Sequence, residues 1–154
     1  MTKSHRYRAH LIWTGAEQGP TKEYASYSRD YQVRIEGKAA LKSSADPSFK
    51  GNASLWNPEE LLLAALAGCH MLSYLALCTK HGIEVTAYEG AAEGTMEIER
   101  GSGRFTSVTL RPRVTIGAGD ANKARALHDD AHRLCFIANS VNFPVTIEPE
   151  IVAA

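Results

Sequence analysis

The stretch Asn57–Gly82, NPEELLLAALAGCHMLSYLALCTKHG, limits what this chain can fold into more than any other. Asn57 is a favoured N-cap, Pro58 suits the first helical position, and Glu60 stands where a capping box places its carboxylate. Gly82, after Lys80 and His81, is a natural stop, with cations at the negative end of the helix dipole. A helix of roughly 26 residues would run about 39 Å. Leu61, Leu62, Leu63, Leu66, Met71, Leu72, Tyr74, Leu75 and Leu77 cover nearly its whole circumference, which predicts a buried central helix holding Cys69. A bilayer span is disfavoured: Glu59, Glu60, His70, Lys80 and His81 interrupt or flank an apolar run too short to cross.

A chain of 154 residues predicts one domain, 1–154, with a core that needs no disulfide. Lys plus Arg and Asp plus Glu both number 17, so no net field recruits nucleic acid or an anionic membrane, and neither is expected as a partner. The N-terminal MTKSHRYRAHLIW lacks the apolar centre of a signal peptide, which predicts a cytoplasmic location. Three cysteines then argue for reactive or buried thiols over structural bridges.

Alternation of polar with apolar or aromatic residues predicts strands over 6–14 and 23–37, an antiparallel hairpin turning near Gly19-Pro20. Residues 38–56 read as loop with one short strand. After the central helix come strands at 83–88, 92–98 and 105–116, Pro112 marking the last as an edge or a bulge. A second helix is expected from the N-cap Asp120 through ANKARALHDDAHRLCFIANS, and VTIEPEIV closes the chain as one strand. The fold class is α+β: an antiparallel sheet packed on two long core helices.

Cys69 and Cys135 each fall within an apolar helical pattern, and Cys78 lies on the face of its helix opposite Cys69. Two readings stand. All three thiols are small buried hydrophobes, or Cys69 and Cys135 form a redox pair where two helices pack and Cα atoms come within about 5.5–6 Å. A thiol among leucines alone is inert, so a redox role needs a cation beside it, for which Arg29, Arg34, Lys50 and His70 are the candidates. A competing reading is metal binding, since His128, His132 and Cys135 stand at i, i+4 and i+7 on one predicted helix face. No nucleophile elbow, phosphate loop or dinucleotide fingerprint is present.

Asn57-Pro58-Glu59-Glu60-Leu61, Ala64-Ala65-Leu66-Ala67-Gly68-Cys69 and the downstream Cys135 in HRLCFIANSV together resemble the OsmC/Ohr family of thiol-dependent peroxidases. The resemblance spans most of the chain. It implies an OsmC-like fold in an intertwined homodimer and reduction of organic hydroperoxides without a cofactor. It assigns Cys69 as peroxidatic, Cys135 as resolving, and Glu59 as the glutamate that orients an arginine. Recycling by an external dithiol, such as a lipoylated protein, is implied in one branch. The first hairpin loop, where one branch carries its arginine, reads AEQGPTKEY and has none; Arg29 in YSRDY takes that role, with Lys50 as the alternative. A non-catalytic ligand-binding member of the same fold is a further reading.

Spacing adds a constraint of its own. Glu59 and Cys69 are ten residues apart in sequence, about 15 Å along a continuous helix, which a carboxylate cannot span. Either the helix breaks between them, or Glu59 serves the cysteine of a twofold-related subunit. Otherwise Glu59 merely complements the helix dipole.

Overall fold

The cap signals at Asn57 are realised in the computed structural model, which describes residues 1–154. The Glu60 backbone N–H donates to Asn57 Oδ1 at 2.9 Å, and the Asn57 N–H donates back to Glu60 Oε2 at 3.3 Å. This reciprocal capping box starts helix α1, Pro58–Lys80, which runs unbroken through Cys69. At its far end Gly82 takes a left-handed φ of 69°, and the Ile83 N–H returns to the Cys78 carbonyl at 2.9 Å.

The chain divides into two units, Met1–Leu61 and Leu62–Ala154. In the first, β1 (His10–Ile12), β2 (Tyr31–Arg34) and β3 (Leu41–Ser43) form an antiparallel sheet in the order β1-β2-β3. The expected hairpin is present with much shorter strands. A 3-10 turn at Thr14–Gln18 and the stretch carrying Gly19-Pro20 connect its two arms.

In the second unit β4 (Glu84–Glu99) and β5 (Ser102–Ala118) form one long hairpin. The two strands expected at 83–88 and 92–98 are therefore a single strand. Gly90 and Gly94, which look like breaks in the sequence, lie within it: a Cβ on Gly94 would stand 2.7 Å from the Phe105 ring and 2.9 Å from Leu63. Arg100 and Gly101, both at positive φ, make the two-residue turn. The strand in which Pro112 marked an edge or a bulge is central, and its register with β4 is regular at Pro112. Pro112 sits opposite Gly90 on one side, and on the other it falls between the residues that pair with β6 (Val145–Ile147) and those that pair with β7 (Glu150–Ala153). The missing N–H thus costs no ladder bond on that side, and Pro149 divides what the sequence presents as one terminal strand. Helix α2, Ala121–Leu134, carries the chain back, so β6 and β7 return parallel to β5 and the sheet is mixed.

Asp120 caps α2 by accepting from the Lys123 N–H at 2.6 Å. The helix stops at Leu134, six residues before the expected end. Cys135 is its extended C-cap, and a 3-10 turn follows at Ala138–Ser140.

The core of the second unit has two parts. One gathers Tyr74, Cys78, Val114, Ile116, Leu127 and Ala131; the other centres on Leu66, Val108 and Leu110. Within the chain α1 buries one stripe, Leu66, His70, Tyr74 and Cys78, rather than its whole circumference. Leu72 is 65% exposed, and Ala64, Ala65 and Ala76 are exposed too. By length and composition alone α1 would pass as a membrane-spanning helix, contrary to expectation. Its buried stripe, however, is hydrogen-bonded to α2, as befits a helix packed inside a folded chain.

Candidate active site

Cys69 projects half-buried from the middle of α1, and Cys135 is buried at 1% exposure just past the end of α2. Cys69 is close enough to Cys135 to act on its titration, and neither thiol is in a disulfide. Burial pushes the Cys135 thiol up from its ordinary value. The Ala138 N–H, donating to its sulfur at 3.4 Å, offsets part of that, while the neighbouring Cys69 adds to it. Cys135 is consequently held as a thiol at neutral pH. Of the two, Cys69 is the more accessible.

Cys78 packs against Tyr74 in the apolar core, and burial raises it as well. It is structural, as its place on the opposite face suggested.

The two helices that carry the thiols are joined by a polar contact the sequence did not announce. His70 Nε2 and His128 Nδ1 share a proton at 2.9 Å, both rings being 1% exposed. His128 also stacks on the Tyr74 ring, with centroids 3.8 Å apart, and the Tyr74 hydroxyl donates to the Ala124 carbonyl at 3.1 Å. Burial pushes His70 down to about 4, with His132 contributing, and His128 down to about 3, with His70 and Arg125 contributing. Both imidazoles are neutral at pH 7. His70, one of four cations considered for activating the thiol, is therefore not a cation.

The metal-binding alternative fails on this geometry. His128 is turned into its bond with His70, and Cys135 leaves the helix, so its spacing from His128 no longer places it on that face. No three His, Cys, Asp or Glu side chains come together anywhere in the chain as a metal-binding group.

Arg29 and Glu59, the other two predicted site residues, line one pocket of about 360 Å³ in the first unit. Trp13, Tyr27, Tyr31 and Phe49 contribute its aromatic wall. The Arg29 guanidinium donates to the Tyr24 and Tyr27 carbonyls and lies over the Tyr27 ring at 3.7 Å and the Tyr24 ring at 4.8 Å. It makes no ion pair with Glu59, so carbonyls and rings fix it in place of the carboxylate expected to do so. Glu60 is the helix cap, which leaves Glu59 free to face the pocket. Lys50, the alternative cation, sits exposed at φ 66° after the 3-10 turn Pro47–Phe49 and does not line this pocket.

The profile of the OsmC-like protein family matches residues 51–150, a span that includes both cysteines. A curated Bacillus subtilis protein, YmaD, is 31% identical over 107 residues, covering 68% of this chain and 67% of its own length. An OsmC-like protein of unknown function from Vibrio cholerae superposes with a TM-score of 0.86 at 28% identity, over 95% of this chain and 99% of that one. The crystal structure of an organic hydroperoxide resistance protein, OsmC, from Legionella pneumophila shares the fold at a TM-score of 0.69 and 16% identity, over 98% and 99% of the two chains. With two long helices, a three-stranded sheet and a long hairpin extended by parallel strands, the chain belongs to the OsmC-like protein family.

Proposed function

We propose that the protein is a thiol-dependent peroxidase that reduces organic hydroperoxides, alkyl or fatty-acid, to alcohols. What supports this reading is the proximity of a half-buried thiol, Cys69, to a fully buried one, Cys135, on two separate elements. The Cys69 thiolate attacks the terminal peroxide oxygen. The O–O bond breaks, an alcohol leaves, and Cys69 becomes a sulfenic acid. The Cys135 thiol then displaces the hydroxyl as water and forms the Cys69–Cys135 disulfide, which an external dithiol, for example a lipoylated protein, reduces by exchange. Such chemistry suits a cytoplasmic setting and needs no cofactor.

The pocket of Arg29 and Glu59 serves as the substrate end of the site. Its volume of about 360 Å³ falls in the range of small-ligand pockets, and its aromatic wall suits an apolar tail. Because α1 is unbroken, Glu59 stands about 15 Å along the axis from its own Cys69. An intertwined homodimer in which the pocket of one subunit receives Cys69 of the other removes that mismatch and satisfies it twice. The exposed leucine and alanine face of α1 gives such a dimer apolar surface to bury. Arg29 then favours the Cys69 thiolate, with Glu59 lining the same pocket.

The test is thiol loss on addition of cumene hydroperoxide, comparing wild type with Cys69→Ser. Rapid loss of Cys69 in wild type, with none in the variant, is the expected result; equal slow oxidation of both removes the proposal in favour of a ligand-binding protein with an unactivated Cys69.

A further inference from the structure

The successive contacts between α1 and α2 run in order. Tyr74 meets Ala124, His70 meets His128, and Cys69 meets Cys135, so the helices cross antiparallel with the imidazole pair as the rung next to the thiols. On α1 that pair sits between the apolar cluster of Leu66 and the cluster of Tyr74, the two being four residues either side of His70. Apolar contacts of this kind are non-directional and tolerate small slides of one helix on another. Disulfide formation does not, since it accepts only a narrow range of Cα separation and Cβ direction. The His70–His128 hydrogen bond is a directional side-chain tie between α1 and α2, and its outer nitrogens, His70 Nδ1 and His128 Nε2, have no hydrogen-bond partner within the chain. A contact that leaves two buried nitrogens unpaired is a costly way to fill a core and an effective way to fix an alignment.

We propose that the His70–His128 hydrogen bond is a positioning device that holds Cys69 against Cys135 and so governs how readily that pair closes to a disulfide. The inference rests on the redox reading of the two thiols. The residues act through the cysteines: neither imidazole need touch a substrate. The step they control is closure, in which the Cys69 S–O bond breaks, the S–S bond forms, and the Cys135 proton leaves with the hydroxyl as water. If closure slows, the sulfenic acid persists, and a second equivalent of hydroperoxide takes it to the sulfinic acid.

The experiment measures closure in two ways on five variants. His70→Leu and His128→Leu remove the bond; the double leucine variant removes it without leaving an unpaired buried group, which secures a folded protein should either single variant fail to fold. His70→Gln and His128→Asn put an amide near the lost ring nitrogen and retain a bond. First, the thiol pair is equilibrated with dithiothreitol in its two redox states and trapped by alkylation. This reading requires no peroxidase activity. The leucine variants should close roughly tenfold less favourably, about 30 mV in potential, while the amide variants stay close to wild type. Second, two equivalents of cumene hydroperoxide are added and Cys69 is followed by intact mass. The leucine variants should lose the Cys69 thiol at the wild-type rate but accumulate sulfinic acid in place of disulfide. Wild-type equilibria in the leucine variants overturn the proposal. So do amide variants that fail as badly as leucine, since packing rather than the bond is then responsible. If no form reacts with the hydroperoxide, the peroxidase reading falls, while the dithiothreitol equilibrium still decides the role of the pair.

Discussion

Lowering the pH from 7.5 to 5 will destabilise this protein mainly through His70 and His128. In the unfolded chain each imidazole takes a proton near its ordinary value of 6.5; in the native chain burial holds them to about 4 and about 3. The groups that perturb them from α1 and α2, His132 and Arg125, are bases, and no carboxylate pairs with either ring. Below pH 6.5 the unfolded state therefore binds more protons than the native state, and stability falls as pH falls until the native rings charge between about 4 and 3. At pH 5 each ring costs roughly 2 kcal/mol, and the pair about 4, a large part of a typical domain's 5–15 kcal/mol. The assay is urea unfolding at pH 7.5, 6 and 5, at one protein concentration because association contributes to stability. It should be followed by far-ultraviolet circular dichroism, which reports on α1 and α2, rather than by the fluorescence of Trp13 and Trp56, which lie in the other unit. The double variant His70→Leu/His128→Leu should lose less than half as much stability over the same range. Identical losses in both proteins would refute the assignment and place the titration elsewhere.

Cys135→Ser should react once with hydroperoxide at the wild-type rate and then stall, with Cys69 accumulating as sulfenic and then sulfinic acid in a mass spectrum. Asn57→Ala removes the side-chain half of the capping box, the bond from the Glu60 N–H to Asn57 Oδ1, and should cost about 1 kcal/mol in urea unfolding; an unchanged midpoint would mean that Pro58 and the remaining bond from the Asn57 N–H to Glu60 suffice to start α1. Gly94→Val drives a branched side chain into Phe105 and Leu63 and should lower stability by about 1–3 kcal/mol in the same assay.

Features whose causes are local were legible in the sequence. The capping box at Asn57, the stop at Gly82 and the N-cap at Asp120 each need only a few neighbouring residues, and each stands where the sequence put it. The α+β class followed from pattern, whereas spacing left the pairing of Cys69 with Cys135 as one of two readings and only the family resemblance assigned it. What failed depends on residues far apart in the chain. Pro112 looked like an edge marker because nothing local reveals that Pro149 leaves a gap in the strand beside it. The parallel return of β6 follows from the crossover through α2, not from its own residues. The His70–His128 bond joins rings 58 positions apart. A signal for half of it did exist: His70 is spaced four residues from both Leu66 and Tyr74, on the stripe that α1 buries. A histidine at such a position must find a partner, but only the packing of α2 says which one.

The imidazole pair sets stability against function. Two buried rings joined by one hydrogen bond, with their outer nitrogens unpaired, contribute less to folding than well-packed leucines of similar volume would. The double leucine variant should accordingly match or exceed wild type in stability at pH 7.5, where neither native ring carries a charge. If the pair only filled the core, that replacement would also leave the thiols as they are, since the cluster of Tyr74, Cys78, Leu127 and Ala131 remains to hold α1 against α2. If the pair aligns the helices, the same variant becomes a more stable protein that closes its disulfide less readily. A gain in stability together with a loss of closure, while the amide variants His70→Gln and His128→Asn still close, has no explanation in packing alone. It requires that the bond between His70 and His128 specify a geometry that apolar contacts leave loose.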